Sequence, residues 1–381
     1  MNSRERVAAT FKFKKTDKIP VMHVGFSSEV ASGLLGREAY VGGGIQQWRE
    51  TTSLWQGKDA HQEFLERSFR DAIDVALFCE HDIIRATYWR YNKKPTKRID
   101  ENTFLYGYGH EEDWCVLKFD PPSEQCNIHS YVSKGRLTFK DLERQVAEQE
   151  KALTDYSLTK EMCDFEFRAR DLLKNERIIR MSYAGIGIPS ESIWLEATIL
   201  RPDLVERFLD IQAEECVRNI RFLAKHGFHY IFGGGDFASN EGPMYSPKVF
   251  RELCLPRLKR VTDACHECGS IFSFNSDGNL WRVADDLFGN SGIDSYHEID
   301  RRAEMDLRKL HEHFPKLVLI GNISSHSVHL DTREEIIAQT MSCLEEAKRS
   351  RGIIVGASNY FVPHTPIENV MAVIETISKN R

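Results

Sequence analysis

The sequence predicts a (β/α)8 barrel, an α/β fold of the TIM type, as one domain over residues 1–381. Short apolar runs recur along the chain, and amphipathic segments long enough for helices lie between most of them. No GxGxxG motif follows a strand to open a helix, as a dinucleotide-binding sheet would require. Eight apolar runs can be counted, which favours a closed barrel over an open sheet.

The first half of the chain begins with a predicted helix over residues 3–11, for which Ser3 is the expected N-cap. Residues 18–23 form the first predicted strand, residues 45–78 are helical, and the next strand starts at Asp82. The six later runs cover residues 178–183, 230–232, 271–274, 293–296, 317–320 and 353–355. Helices are predicted over residues 143–175, 204–225 and 247–268.

Residues 88–131 have a different pattern, in which aromatic and polar side chains alternate between proline and glycine breaks. This pattern predicts an inserted, β-rich segment at the rim of the barrel. Its aromatic residues either close over a substrate or simply pack against the rim, and the sequence leaves both interpretations open. They are Tyr88, Trp89, Tyr91, Phe104, Tyr106 and Tyr108.

Composition limits the classes of function. The net charge is -6 and no basic run covers a face, so we expect no nucleic-acid partner. No apolar stretch approaches the roughly 20 residues of a membrane span, and residues 1–6 lack the apolar core of a signal peptide. Nine scattered cysteines do not suggest a disulfide framework. We therefore expect a cytoplasmic protein that does not bind membranes.

Polar residues follow five successive strands, where a barrel places its chemistry. Asp and Asn at a single strand end often only cap a helix or form a turn, but five coincidences favour a shared site. Such acids and amides can orient a substrate, bind a metal or act as general acids and bases. The residues are Asp236, Asn275, Asp277, Glu298, Asn322, Asn359 and Tyr360, with His23 in the comparable place on the first strand.

These motifs resemble the uroporphyrinogen decarboxylase superfamily along nearly the whole chain. The resemblance implies a TIM barrel with its active site at the carboxyl ends of the strands. It also implies one of two activities, decarboxylation of a tetrapyrrole or methyl transfer involving a corrinoid. The matching pieces include residues 2–7, 17–21, 234–236, 246–250, 275–279, 321–322 and 363–369.

The decarboxylase branch carries an arginine-rich stretch after the first strand, whereas residues 22–26 here contain no arginine. Eight substrate carboxylates need several guanidinium partners, so this activity is disfavoured. Asp82 does match the aspartate of the branch's S-D-I motif, and it is assigned with Tyr88 to substrate binding.

The thiol-dependent methyltransferases hold zinc with an H-x-C pair and a later cysteine. The matching residues here are Asn275, Asp277 and Asn359, which are poor zinc ligands, so that motif is absent and metal content stays open.

The branch that fits best is the corrinoid-linked demethylases. It implies a small methylated substrate and a corrinoid (cobalamin) on a corrinoid-binding partner protein. Asp236, Asp277, Glu298 and His23 are the predicted catalytic groups, and Asn275, Asn322, Asn359 and Tyr360 join the substrate-binding set. A decarboxylase-type lyase and a non-catalytic corrinoid- or tetrapyrrole-binding protein remain the alternatives.

Overall fold

The computed structural model describes residues 1–107, 114–131 and 137–381. It is a mixed α/β structure built on parallel strands. Six strands form one sheet, and Ile83–Ile84 pairs in parallel with Ile178–Ile179. In sheet order the six are Ile353–Ile354, Val318–Ile320, Ser295–His297, Ile271–Asn275, Tyr230–Gly234 and Met181–Gly185.

The predicted first strand is present only as isolated bridges. Val21 forms a parallel bridge to Val355, and its carbonyl accepts a hydrogen bond of 2.8 Å from the Asp82 amide. The path of parallel neighbours therefore starts at Val21, passes through the parallel strands in turn and returns to Val21 through Val355.

Successive side chains of each parallel strand point in turn to an inner face and to a face covered by helices. We define the inner face by one buried apolar cluster to which six of the parallel segments contribute. Val7 of the first helix packs into it and covers the end where the strands begin. The cluster contains Val7, Met22, Ile83, Ile178, Phe232, Val318, Ile320 and Ile354.

The helices follow the predicted pattern with shifted ends. The N-cap of the first helix is Asn2 rather than Ser3, since the Asn2 side chain accepts from the Glu5 amide. The segment predicted as one helix over residues 45–78 is two, because Gly57 has a φ of 127°. The longer helices are Ser3–Thr10, Ser28–Leu35, Gly44–Gln56, Lys58–Phe78, Phe139–Asp155, Asp164–Leu172, Ser192–Leu200, Pro202–Lys225, Leu255–Glu267, Arg333–Ser350 and Ile367–Asn380. Shorter ones are Pro247–Val249, Leu307–His313 and Ser325–Leu330, and Phe250–Cys254 and Asp285–Asn290 are π-helical.

The inserted segment contains a four-stranded antiparallel sheet, as predicted. Its strands are Lys97–Arg98, Thr103–Gly107, Trp114–Asp120 and Gln125–Tyr131. The Tyr106 hydroxyl is 2.7 Å from that of Thr51, and the rings of Phe119 and Trp48 stack at 4.7 Å. The sheet is thus packed on helix Gly44–Gln56, and Tyr108 lies outside the described residues.

Among the described residues, no helix is both long enough and apolar enough to cross a membrane.

Candidate active site

Three acidic residues, Asp236, Asp277 and Glu298, follow three neighbouring parallel strands at the same edge of the sheet. The register pairs Asn275 with Gly234 on one side and with His297 on the other, so these strands end side by side. We call Asp236, Asp277 and Glu298 the acidic cluster. The sequence predicted that these residues share one place, and the structure brings them together.

Glu298 has the most altered acidity of the cluster. Burial raises its pKa to about 7, and the negative charges of Asp236 and Asp277 act in the same direction. The guanidinium groups of Arg180 and Arg85 oppose this rise. Its backbone φ of 71° lies in the left-handed region, an unfavourable conformation for a residue with a side chain. Glu298 can therefore hold a proton near neutral pH.

Asp277 and Asp236 differ from Glu298 in their surroundings. Burial raises the pKa of Asp277, with further contributions from the charges of Asp236 and Asp300. Asp236 is exposed, yet the neighbouring protein still removes enough water to raise its pKa. The Asn359 amide donates a 3.0 Å hydrogen bond to the Asp277 carboxylate, which favours its charged form. Asp277 is thus an oriented carboxylate beside Glu298.

Asn359 contacts the acidic cluster through its side chain, whereas the strand register places Asn275 beside it. The side chain of Asn359 donates to Asp277, and its Oδ1 accepts a hydrogen bond of 2.7 Å from the backbone amide of Tyr360. Asn275 ends its strand beside Gly234, where a Cβ would lie 2.3 Å from the Asn275 carbonyl oxygen. Gly234 also has a φ of 126°, so only glycine allows this close approach.

Aromatic rings lie next to Arg85 at the same edge. The Arg85 guanidinium carbon is 4.6 Å from the Tyr88 ring centroid and 5.6 Å from that of Trp89. Trp89 in turn stacks on Tyr360 at 5.8 Å. Burial raises the pKa of both Tyr88 and Tyr360, so both are neutral phenols. Tyr88 and Tyr360 are therefore placed together, as the sequence predicted.

His23 does not join the acidic cluster, which corrects its predicted catalytic role. Its neighbour Met22 points to the inner face, so His23 points to the opposite one. There its ring packs against His81 and Phe361, and its Nδ1 accepts from the Ala357 amide at 3.0 Å. Burial lowers its pKa to about 4. His23 is a neutral core residue.

Asp82 lies at the wrong end of its strand for substrate binding. It precedes Ile83–Ile84, whereas the acidic cluster follows the strands. Its fully buried carboxylate pairs with Arg6 and, at 3.2 Å, with Arg381. The local motif matched the family, but the chain direction puts the carboxylate among these arginines.

Asn322 also faces away from the acidic cluster. Its amide nitrogen donates to the Met305 carbonyl at 3.2 Å, and its oxygen accepts from the Cys343 thiol at 3.4 Å. Cys343 belongs to helix Arg333–Ser350. Asn322 therefore joins a strand end to the helical layer.

The sequence interpretation missed three basic residues on the inner face. Arg85 and Arg180 each follow an inner-face isoleucine by two residues, and His297 is in register with Asn275. Strand alternation places all three on that face. The repeated triplet Ile-Ile-Arg, at residues 83–85 and 178–180, is a signal that could have identified the arginines.

The residues that match the zinc site of thiol-dependent relatives do not fit zinc. Asn275, Asp277 and Asn359 offer two amides and one carboxylate, and Asn359 already donates to Asp277. Within the described ranges, no group of three His, Cys, Asp or Glu residues is arranged to hold a metal ion.

The model of one protein family, Uroporphyrinogen decarboxylase (URO-D), matches residues 181–380, more than half of the 381 residues. The chain belongs to the uroporphyrinogen decarboxylase family. The matched region includes the whole acidic cluster together with Asn359. No match is found among curated proteins.

Comparison with solved structures gives one similarity that extends over the whole chain. A methyltransferase from Methanosarcina mazei superposes with a TM-score of 0.64 at 18% identity, covering 100% of this chain and 99% of that one. This similarity shows a shared fold. An alfa-galactosidase from Saccharomyces cerevisiae covers 62% of this chain and 59% of its own at 12% identity, with a TM-score of 0.31. A sugar phosphate isomerase/epimerase from Parabacteroides distasonis covers 66% and 96% at 10% identity, with a TM-score of 0.30. The last two TM-scores are too low to indicate a shared fold.

Proposed function

We propose that this protein moves a methyl group from a small methoxy or methylamino compound to a corrinoid carried by a separate protein. The observation that supports this most directly is Glu298, whose pKa of about 7 lets it donate a proton at neutral pH. When a methyl group leaves oxygen or nitrogen, the departing heteroatom keeps the bonding electrons and needs a proton. The fold shared with a methyltransferase from Methanosarcina mazei is consistent with this choice.

We assign a separate role in methyl transfer to each residue at the strand ends. Glu298 gives its proton to the leaving oxygen or nitrogen. Asp277, oriented by Asn359, and Asp236 keep negative charge beside Glu298, which holds the proton on it until the bond breaks. Tyr88 and Tyr360 lie at the edge where a small substrate would rest. The partner's reduced corrinoid supplies the nucleophile that accepts the methyl group, and no step is assigned to zinc because the ligand set does not fit it.

The closed path of parallel neighbours supports the (β/α)8 barrel predicted from the sequence, with the antiparallel sheet as its inserted rim element. A cytoplasmic location is supported by the nine scattered cysteines, whose spacing does not suggest a disulfide framework. We infer a corrinoid-binding protein as the macromolecular partner and no role for nucleic acid.

The test is methyl transfer from a panel of methoxyaromatics and methylamines in the presence of a reduced corrinoid protein. Loss of the cob(I)alamin absorbance upon adding one of these donors is the expected result. Asp277→Asn should slow this loss about 100-fold or more, the usual scale for disrupting acid–base assistance. The exposed control Asp263→Asn should leave the rate unchanged.

An unchanged spectrum across the whole panel would contradict methyl transfer and favour the non-catalytic corrinoid-binding alternative. Formation of coproporphyrinogen from uroporphyrinogen would instead favour the decarboxylase. An Asp277→Asn variant as fast as the wild type would leave the enzyme class standing and remove the role of Asp277.

A further inference from the structure

The inner face carries two arginines without an acidic partner. Arg85 donates to the carbonyls of Val24 and Thr87, each at 3.1 Å, and Arg180 donates through Nε to the Ser182 hydroxyl at 3.0 Å. Across the described ranges, no carboxylate lies within ion-pair distance of either guanidinium. The Nη1 of Arg180 is buried and has no hydrogen-bond partner.

Such an arrangement is costly for an unliganded protein. Burial lowers the pKa of the Arg180 guanidinium to about 10, so the group stays charged near neutral pH. A buried N–H without an acceptor loses its hydrogen bond to water and gains none from the protein. Other guanidinium groups of this chain are neutralised, for example Arg6 by Asp82 and Arg90 by Glu50. The unpaired state of Arg180 therefore points to an acceptor that comes from outside the chain.

Further unpartnered polar groups surround the same place. Both ring nitrogens of the fully buried His297 lack partners, as do the hydroxyls of Ser273 and Ser295. Phe232 connects them to Arg180: its ring centroid is 5.0 Å from the Arg180 guanidinium carbon and 6.0 Å from the His297 ring. Ser273 and Ser295 are in register with Phe232 and share its inner face. Arginine, imidazole and hydroxyl groups can all donate, so together they suit an anion.

The acidic cluster does not supply that anion. Glu298 follows His297 directly in the chain, yet it forms no ion pair with Arg180 or Arg85. The two arginines only moderate the rise in the pKa of Glu298. An anion held by the arginines would therefore lie beside Glu298 and leave its proton available.

We propose that Arg85, Arg180 and His297 bind the carboxylate of the methyl donor. The donor is then a small methoxy- or methylamino-substituted carboxylic acid, and anchoring its carboxylate places the methyl-bearing atom near Glu298. A carboxylate fits because its two oxygens can accept from the paired N–H groups of a guanidinium. That the bound carboxylic acid is the methyl donor rests on the proposed function. The existence of a carboxylate site does not.

The experiment compares two probes of nearly equal shape, 4-methoxybenzoate and the uncharged 4-methoxybenzamide, by isothermal titration calorimetry at pH 7.5 without any corrinoid protein. Wild-type protein should bind the benzoate at least about 10-fold more tightly, as expected for a charge-assisted contact. Arg180→Gln and Arg85→Gln should each remove most of this preference. Arg221→Gln, which removes an exposed arginine at the protein surface, is the matched control and should keep it.

Equal binding of both probes by the wild type would overturn the proposal, and so would a preference that survives in both arginine variants. Binding of inorganic phosphate but of no carboxylate up to about 10 mM would overturn it as well. If Arg180→Gln fails to fold, the comparison of the two probes in the wild type and in Arg85→Gln still tests the carboxylate site. Arginine-dependent binding of 4-methoxybenzoate without methyl transfer from any donor would refute only the proposed function. Efficient transfer from uncharged donors alone would refute only the carboxylate site.

Discussion

Glu298 combines three properties that set its acidity and its conformation. Burial and two neighbouring carboxylates favour its protonated form, its backbone has a positive φ, and two arginines lie near without pairing to it. Unfavourable backbone conformations persist where the surrounding structure holds them, often at functional sites. Here the held conformation directs the side chain of Glu298 toward the charges that set its acidity.

Asp82 has a structural role, and its replacement tests this. Asp82→Asn should lower the free energy of unfolding by about 3 kcal/mol, because it removes the fully buried carboxylate that pairs with both Arg6 and Arg381. Asp17→Asn, which alters the half-exposed second partner of Arg6, should cost less than about 1 kcal/mol. Urea unfolding measures both. A stable Asp82→Asn protein that no longer binds 4-methoxybenzoate would restore the predicted binding role.

Much of the candidate site could be predicted from residues that follow apolar runs. Asp236, Asp277, Glu298 and Asn359 were found this way because strand ends converge whatever the details of packing. Asn322 fails the same rule because a residue beyond a strand can turn either inward or toward the helices, and only its contacts decide. Arg85 and Arg180 were missed because long charged side chains are expected at the surface rather than on an enclosed face.

For helices and strands, the sequence predicted the positions of the elements better than their ends. Apolar periodicity located the long helix Pro202–Lys225 and the strands of the second half within a few residues. The predicted helix over residues 143–175 is instead Phe139–Asp155 and Asp164–Leu172. Where each helix starts depends on single capping contacts, such as the Thr138 hydroxyl that accepts from the Asp141 amide. Periodicity carries little information about such contacts.

The closure between the first and last parallel segments can be tested at Gly356. A Cβ there would lie 1.7 Å from the Met22 carbonyl oxygen, so Gly356→Ala must push the two backbones apart. We expect a loss of roughly 3 kcal/mol or more in stability, at the upper end for overpacking. Gly185→Ala is the control, since the nearest atom to its new Cβ would be 3.7 Å away. Thermal and urea unfolding distinguish the two, and a Gly356→Ala protein as stable as the control would contradict the closed path.

In the whole molecule, the candidate active site lies at the ends of the parallel strands, next to the inserted segment. Glu298 and Arg180 directly follow parallel strands, and polar contacts attach the inserted segment to neighbouring helices. Both carboxylate oxygens of Glu124 accept from the amides of Ser28 and Glu29, at 2.7 and 2.8 Å. Phe104 and Tyr106 are buried in this packing, while Trp89 is 51% exposed against Tyr360. Packing thus accounts for Phe104 and Tyr106, whereas Tyr88 and Trp89 lie beside Arg85 at the site.

The most direct test of the account is the pH dependence of a single turnover of methyl transfer, in wild type and in Glu298→Gln. Glu298 donates only while protonated, and its pKa is about 7. The wild-type rate should therefore be constant below pH 7 and fall about 10-fold per unit well above it. Glu298→Gln should be slower by about 100-fold or more at pH 6 and independent of pH. A wild-type rate that stays constant through pH 7 to about pH 9, or a Gln variant as fast as the wild type, would contradict the claim that Glu298 protonates the leaving group.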